Sequence, residues 1–268
     1  MNNYKVNGSD TGRFAFLYNC YASKGKYIAH CDGDDYWLDQ FKLQKQVDFL
    51  ETNEEYSLCA SRIKHIDENS NIIGEGPSLD LLRVDQHNKH FRLFENYSLK
   101  DYLCYPYNIF QYSSVLFRNN PGLAQNMDRN IHTGDLLLSV NLLKDGLAYF
   151  FLDDYFSAYR IHSNGVWNRN GNLRKALIKV ADYKRLKEII PEHIGEINKT
   201  LKCLYNEISI EYARVGKIFN SLYNYILSLD YDSELISENG IKRLYNLIFH
   251  YKGYYSGNYI KYVSGKID

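Results

Sequence analysis

The chain has no surplus charge: 32 lysines and arginines stand against 32 aspartates and glutamates over 268 residues. No global field points to nucleic acid or to a membrane surface as partner. Long apolar runs are missing as well. Hydrophobic residues make up 45% of the chain, yet no segment reaches the length that a bilayer span requires. The opening stretch MNNYKVNGSD lacks the basic-then-apolar layout of a secretion signal. Cysteine is sparse and odd in number, with Cys20, Cys31, Cys59, Cys104 and Cys203 widely spaced and no CxxC pair. This argues against a disulfide framework or a zinc site and favours a reducing, cytoplasmic compartment. There is no Walker-type glycine loop and no phosphatase-like nucleophile motif, which ranks metal-dependent phosphoryl transfer low. Tyrosine, by contrast, is abundant at 26 residues. That suits sugar-stacking surfaces and is equally explained by compositional bias.

The first half mixes strand-like and helix-like segments. KYIAHC is a short apolar run that predicts a buried strand ending at Asp32. QFKLQKQVDFLETN predicts an amphipathic helix that turns Leu43, Val47 and Leu50 to a sheet and leaves Lys42 and Lys45 solvated. YSLCASRIKHID and FQYSSVLFR predict further strands, separated by a polar, turn-rich stretch that contains GEGPS. HTGDLLLSVNLLKDG predicts a helix with Thr133 as N-cap, an apolar stripe of Leu137, Val140 and Leu143, and a stop at Gly146. In LAYFFLDDYFSAYRIH, Asp153 and Asp154 suggest a turn between two short strands. From Leu173 onward the pattern is helical. Ile197, Leu201, Leu204 and Ile208 repeat at four-three-four spacing, and Ile218, Leu222 and Ile226 continue the theme. The expected organisation is an α/β region over 1–168 followed by an α-helical C-terminal region over 169–268.

Chemistry concentrates in KYIAHCDGDDYW, where Asp32, Asp34 and Asp35 crowd into four positions directly after a strand. Like charges so close need compensation, and a D-x-D pair suits Mg²⁺ or Mn²⁺, hard cations that share their coordination with substrate phosphates. Alone, D-x-D is a weak signal, since acidic surface turns produce it often. Its position at the carboxyl end of a strand, where α/β sheets bind ligands, strengthens it.

The block GKYIAHCDGDDYWLDQFKLQKQVDFLETNEEYSLC resembles, without a gap, the central block of family 2 glycosyltransferases, bacterial enzymes of the GT-A fold. TGDLLL resembles that family's acidic motif at a helix start, and YRIHSNGVW resembles its R-x-H segment. The resemblance runs from about Arg13 to Trp167. It implies a GT-A-like, Rossmann-like mixed sheet, apparently without the N-terminal nucleotide-binding βαβ segment. It also implies transfer of a sugar from a nucleotide-sugar donor to a glycan or lipid-linked acceptor by metal-assisted inversion, as in surface polysaccharide synthesis. Carried over residue by residue, Asp32 and Asp34 would hold the divalent cation (Mn²⁺ or Mg²⁺), with His162 reaching it from the far side. Asp135 would be the general base. Among the donor- or acceptor-side residues, Asp35 would cap or orient the following turn, Arg160 would support His162, and Trp37 and Trp167 would line the sugar or acceptor pocket. The rival within this frame is a catalytically inactive, truncated glycosyltransferase acting as a binding or scaffold module. The C-terminal helices suggest a peripheral contact with the inner face of the membrane or with a partner enzyme.

Overall fold

The computed structural model describes residues 13–77, 94–105, 109–120, 122, 128, 130–163, 165 and 171–231. The chain divides into two compact units. One comprises Met1–Ser78, Phe94–Tyr102 and Asn108–Arg169, and the other Leu79–Leu93, Leu103–Tyr107 and Asn170–Asp268.

The first unit is a mixed sheet with helices, an α/β architecture as expected. Its described elements begin with α1 (Arg13–Ala22), which the sequence patterns do not announce. Then come β1 (Tyr27–Ala29), β2 (Tyr36–Trp37), α2 (Lys42–Thr52), β3 (Tyr56–Ile66), β4 (Ile72–Gly76), β5 (Asn96–Tyr97), α3 (Leu99–Leu103), β6 (Leu116–Arg118), α4 (Gly134–Lys144) and β7 (Leu147–Arg160). Two long parallel strands, β3 and β7, form the centre of the sheet. On the outer edge of β3, β6 pairs with its first half and β4 with its second, both antiparallel. On the outer edge of β7, β5 and β2 divide the strand in the same way. β1 completes the sheet beyond β6.

Every position of β3 from Ser57 to Ile63 is buried, so both faces of the sheet are covered there. α2 covers part of one face, where Leu50 packs on Cys59 and Leu116. Of the expected inward row, Leu50 is fully buried and Val47 packs on the same cluster, but Leu43 does not face inward. Lys42, Gln46 and Leu50 are the buried positions, and Leu43 lies exposed. The helix is turned by about one residue because Gln46 has work to do inside: its amide donates to the backbone carbonyls of Ser114 (2.9 Å) and Cys59 (3.3 Å). A buried polar group is tolerated when its hydrogen bonds are made. Lys42 is correspondingly not solvated but fully buried, whereas Lys45 stays at the surface, bridging Asp39 and Asp154 at 2.8 Å each. Arg118, at the end of β6, closes the C-terminal end of α2 by donating to the carbonyls of Leu50 (2.5 Å) and Asn53 (3.1 Å).

α4 runs from Gly134 to Lys144 with Thr133 at its N-cap position, and residues 136–143 are all buried against the sheet region. Gly146 is a requirement of close approach: a Cβ there would stand 2.7 Å from the carbonyl oxygen of Glu55. Three other expectations are corrected. LAYFFLDDYFSAYR is one strand, β7, rather than two. Ser61 pairs with Phe151 and Arg62 with Tyr155, so Leu152, Asp153 and Asp154 form a bulge that the long strand absorbs without ending. GEGPS is not simply a loop, because Gly74–Gly76 lie in β4. FQYSSVLFR is a strand only from Leu116, with a 3₁₀ turn over Tyr112–Ser114 before it.

The second unit contains α5 (Asn172–Ile189), α6 (Ile194–Arg214) and α7 (Ile218–Asp230). The α6 stripe is as the spacing predicts: Ile197, Leu201, Leu204 and Ile208 are all fully buried. Each such side chain contributes roughly 1.5–3 kcal/mol of hydrophobic stabilisation. α7 departs from expectation. Ser221, Asn224, Tyr225 and Ser228 face inward and Ile226 is exposed, because Ser221 and Ser228 hydrogen-bond to Ser209 and Asn206 of α6. Among the described residues, no helix is long and apolar enough to cross a membrane.

Candidate active site

The acidic stretch folds as a tight turn between β1 and β2. The backbone N–H of Asp35 donates to the carbonyl of Asp32 at 3.1 Å, closing four residues on themselves. β2 then anchors the turn to the second half of β7, with Tyr36 opposite Ala158 and Trp37 opposite Ser157. This antiparallel pairing brings the DGDD turn beside the YRIH segment, although the two lie 125 or more residues apart in the chain.

Four carboxylates gather here in different environments. Asp34 Oδ2 lies 2.9 Å from His162 Nε2, at a solvent-exposed position. Asp32 turns instead to His30, Oδ1 to Nε2 at 2.9 Å, and that hydrogen bond holds its carboxyl below the usual range against the opposing effect of burial. Asp35 points inward. Its Oδ1 accepts the Arg160 backbone N–H at 3.0 Å, while Oδ2 is buried without a hydrogen bond of ordinary geometry. Burial dominates and pushes Asp35 up to about 6, although the Arg160 N–H and the nearby Ser113 hydroxyl favour its charged form.

Asp135 sits in the first turn of α4. Its surface is open to solvent, yet protein encloses it closely enough that burial raises its carboxyl, as a group on the floor of a cleft would be. The Asp32 charge raises it further, while its own backbone N–H and His30 oppose the shift. His30 therefore acts on both Asp32 and Asp135, linking the D-x-D turn electrostatically to the helix start. The turn of α4 is held in place by Tyr112, whose hydroxyl reaches the Asp135 carbonyl (3.3 Å) and Ser139 Oγ (2.9 Å).

The remaining expected residues divide. Arg160 spends its guanidinium on protein: it donates to the carbonyls of Asp34 (3.0 Å), Asp67 (2.8 Å) and Glu68 (3.2 Å), and to Ser70 Oγ. It is a strut between the acidic turn and the β3–β4 hairpin. Trp37 is partly exposed, with its indole N–H donating to the Ser113 carbonyl at 3.0 Å and the Lys42 ammonium 4.7 Å from its ring centre. Trp167 lies outside the described residues.

Two residues near the centre of the site were not singled out from the sequence. His30 stood two positions before Asp32 in a strand end, and that spacing is the one signal that could have found it. Tyr159 feels all four carboxylates, Asp35, Asp34, Asp32 and Asp135 in decreasing order. Only the pairing of β7 with β2 and β3 puts it there.

Among the described residues, no three His, Cys, Asp or Glu side chains converge as a ready-made metal site. The donor chemistry nonetheless fits a hard divalent cation. Asp34 and His162 already touch in the open, with the Asp32 carboxylate on the same turn, and such cations in nucleotide sites use one or two carboxylates plus substrate phosphates.

Comparison with known proteins bears on the same region. Residues 15–113 match the family model described as Glycosyl transferase family 2, which takes in the acidic turn but ends before Asp135, Arg160 and His162. Uncharacterized proteins of Mycobacterium bovis and Mycobacterium tuberculosis are 30% identical over 147 residues, covering 55% of this chain. The chain spans 38% of the length of those curated relatives.

Proposed function

We propose that this chain, whose residues 15–113 match the glycosyl transferase family 2 model, transfers a sugar from a nucleotide-diphosphate donor to a hydroxyl of a glycan or lipid-linked acceptor. The observation that carries this reading is the meeting of Asp34 with His162 beside Asp32, in electrostatic reach of the Asp135 helix start.

In the proposed reaction the acceptor oxygen attacks the anomeric carbon while the bond from that carbon to the diphosphate oxygen breaks on the opposite side. The configuration inverts, and the acceptor proton passes to a carboxylate. Asp135 suits that task, being open to solvent and more basic than an ordinary aspartate because of its enclosure. Asp34 and His162, with Asp32, would hold a divalent cation, Mn²⁺ or Mg²⁺, whose contribution is to neutralise charge on the departing diphosphate. His30 keeps Asp32 ionised, and Arg160 with Asp35 fixes the acidic turn on β7. A cytoplasmic setting is supported by the wide spacing and odd number of the five cysteines, with no CxxC pair among them. A role in surface polysaccharide synthesis follows from the acceptor class proposed.

The test is calorimetric titration of UDP and of GDP with Mn²⁺ into the full chain and into Asp34→Ala. Binding that needs the cation and falls at least tenfold in the variant supports the reading, because one charged ligand in a cation–phosphate site is worth that much. A folded chain that binds neither nucleotide would instead favour an inactive binding module.

A further inference from the structure

We propose that the Tyr159 hydroxyl is a hydrogen-bond donor to the sugar ring of the bound donor, a contact that selects the group transferred. This rests on the glycosyltransferase reading above.

Side chains of a strand alternate between faces, so residues two apart in β7 share one. Ser157 points at Ser113, Oγ to Oγ 3.1 Å, and Ser113 is the residue whose carbonyl receives the Trp37 indole N–H. Tyr159 therefore stands on the face that carries the acidic turn. Both of its chain neighbours are tied to that turn: Ala158 pairs with Tyr36, and the Arg160 N–H holds Asp35. The ring is backed by His65, its partner across β3, in an edge contact with centroids 6.1 Å apart. His65 can occupy that place because β4 offers it glycine. A Cβ at Gly76 would stand 2.8 Å from His65 Nε2.

A half-buried tyrosine hydroxyl normally finds a partner. That of Tyr159 makes no hydrogen bond among the described residues, and it lies within electrostatic reach of Asp35, Asp34, Asp32 and Asp135. Burial, reinforced by these carboxylates, pushes the phenol up to about 12, so it keeps its proton at any working pH.

The donor and acceptor inventory then narrows the ligand. Ionised carboxylates only accept hydrogen bonds. A ligand rich in hydroxyls can donate to them, but its ring and hydroxyl oxygens need a donor in return. The Arg160 guanidinium is already spent on backbone carbonyls. Among the described residues, the phenol of Tyr159 is a neutral donor left in position. A sugar ring satisfies both sides of this arrangement. A bare diphosphate oxygen would be repelled by the same four acids except where a cation intervenes, which places Tyr159 on the sugar rather than on the phosphates.

The test compares the full wild-type chain with Tyr159→Phe, which removes one oxygen and keeps the ring packed on His65. Calorimetry with Mn²⁺ uses UDP and GDP against UDP-glucose, UDP-galactose, UDP-N-acetylglucosamine and GDP-mannose. In the wild type, one sugar nucleotide binds more tightly than its parent diphosphate. In Tyr159→Phe that increment falls roughly five- to tenfold, the worth of one neutral hydrogen bond, while parent diphosphate binding and the unfolding midpoint stay unchanged. An equal loss for sugar nucleotide and diphosphate, no loss in the variant, or no sugar increment in the wild type would each overturn the proposal and leave the donor-binding reading intact. If neither diphosphate binds, it is that reading which fails. The sugar contact is then decided by saturation-transfer NMR with the same free sugars: a signal lost in Tyr159→Phe upholds it, and its absence from the wild type overturns it.

Discussion

The sheet unit and the helical unit use opposite means of holding their shape. α6 is fixed by an apolar seam, with Ile197, Leu201, Leu204 and Ile208 fully buried at helical spacing. Around the acidic turn the anchoring groups are polar: Gln46 and Trp37 donate to carbonyls of the Ser113–Ser114 turn, Arg160 ties the turn to the hairpin, and a lysine lies fully buried under an indole. Apolar packing is non-directional and fixes a helix well. Placing a turn that carries three carboxylates needs directional bonds, because the turn has few apolar atoms to bury. The α6 seam needs no such bonds, whereas α7 docks on α6 partly through buried serines.

The largest expected effect sharpens this contrast at the site. Asp135→Asn should lower the turnover rate by roughly 10²–10⁴-fold while leaving the fold intact, since it removes a proton acceptor and little volume. The wild-type pH profile of kcat/KM should agree with the same assignment. Enclosure raises the Asp135 carboxyl, so activity should fail on the acid side at a pH above the ordinary aspartate value of 3.8. An acid limb at or below that value would remove Asp135 from the role.

Next in size is a change meant to touch stability alone. Leu204→Ala in α6 should cost about 2–5 kcal/mol by leaving a cavity in the apolar seam, read from urea unfolding. Donor affinity should not move. A parallel loss of donor binding would break the division of labour between the two units.

The smallest effect concerns Lys42. Burial lowers its ammonium from 10.5 to about 8, with Cys59 and Cys31 opposing weakly. In the unfolded chain the lysine holds its proton up to about 10.5, whereas in the fold it releases it near 8. Between those values the unfolded state binds more protons, so stability rises with pH, by at most roughly 3 kcal/mol across the window. Below pH 8 the full penalty persists. In Lys42→Met this rise should vanish from the pH dependence of urea unfolding. An unchanged slope would show that the ammonium is not the buried charge responsible.

How much of this was legible beforehand differs by element. The α4 helix, its N-cap position and its stop could be read because capping and close-approach signals are local. The α6 seam could be read because hydrophobic periodicity is local too. The α2 face could not: Leu43 looked inward by spacing, and only the carbonyls of Cys59 and Ser114, from distant strands, give Gln46 and Lys42 their buried row. The DD pair at 153–154 looked like a turn, since nothing in the chain announces that a 14-residue strand will bulge around it. α7 misled for the same reason, its inward serines being decided by partners on α6.

The sequence by itself determined the α/β character, the acidic turn at the end of a strand, the acidic start of α4 and the helical C-terminal region, because each depends on neighbours within a few residues. Only the tertiary structure decided that Asp34 meets His162, that Asp32 turns to His30, that Lys42 is buried and that Tyr159 lies within electrostatic reach of four carboxylates. The first and last of these facts follow from strand register between segments more than a hundred residues apart. Register is fixed by the sum of burial and hydrogen bonding over the whole sheet, not by any local pattern.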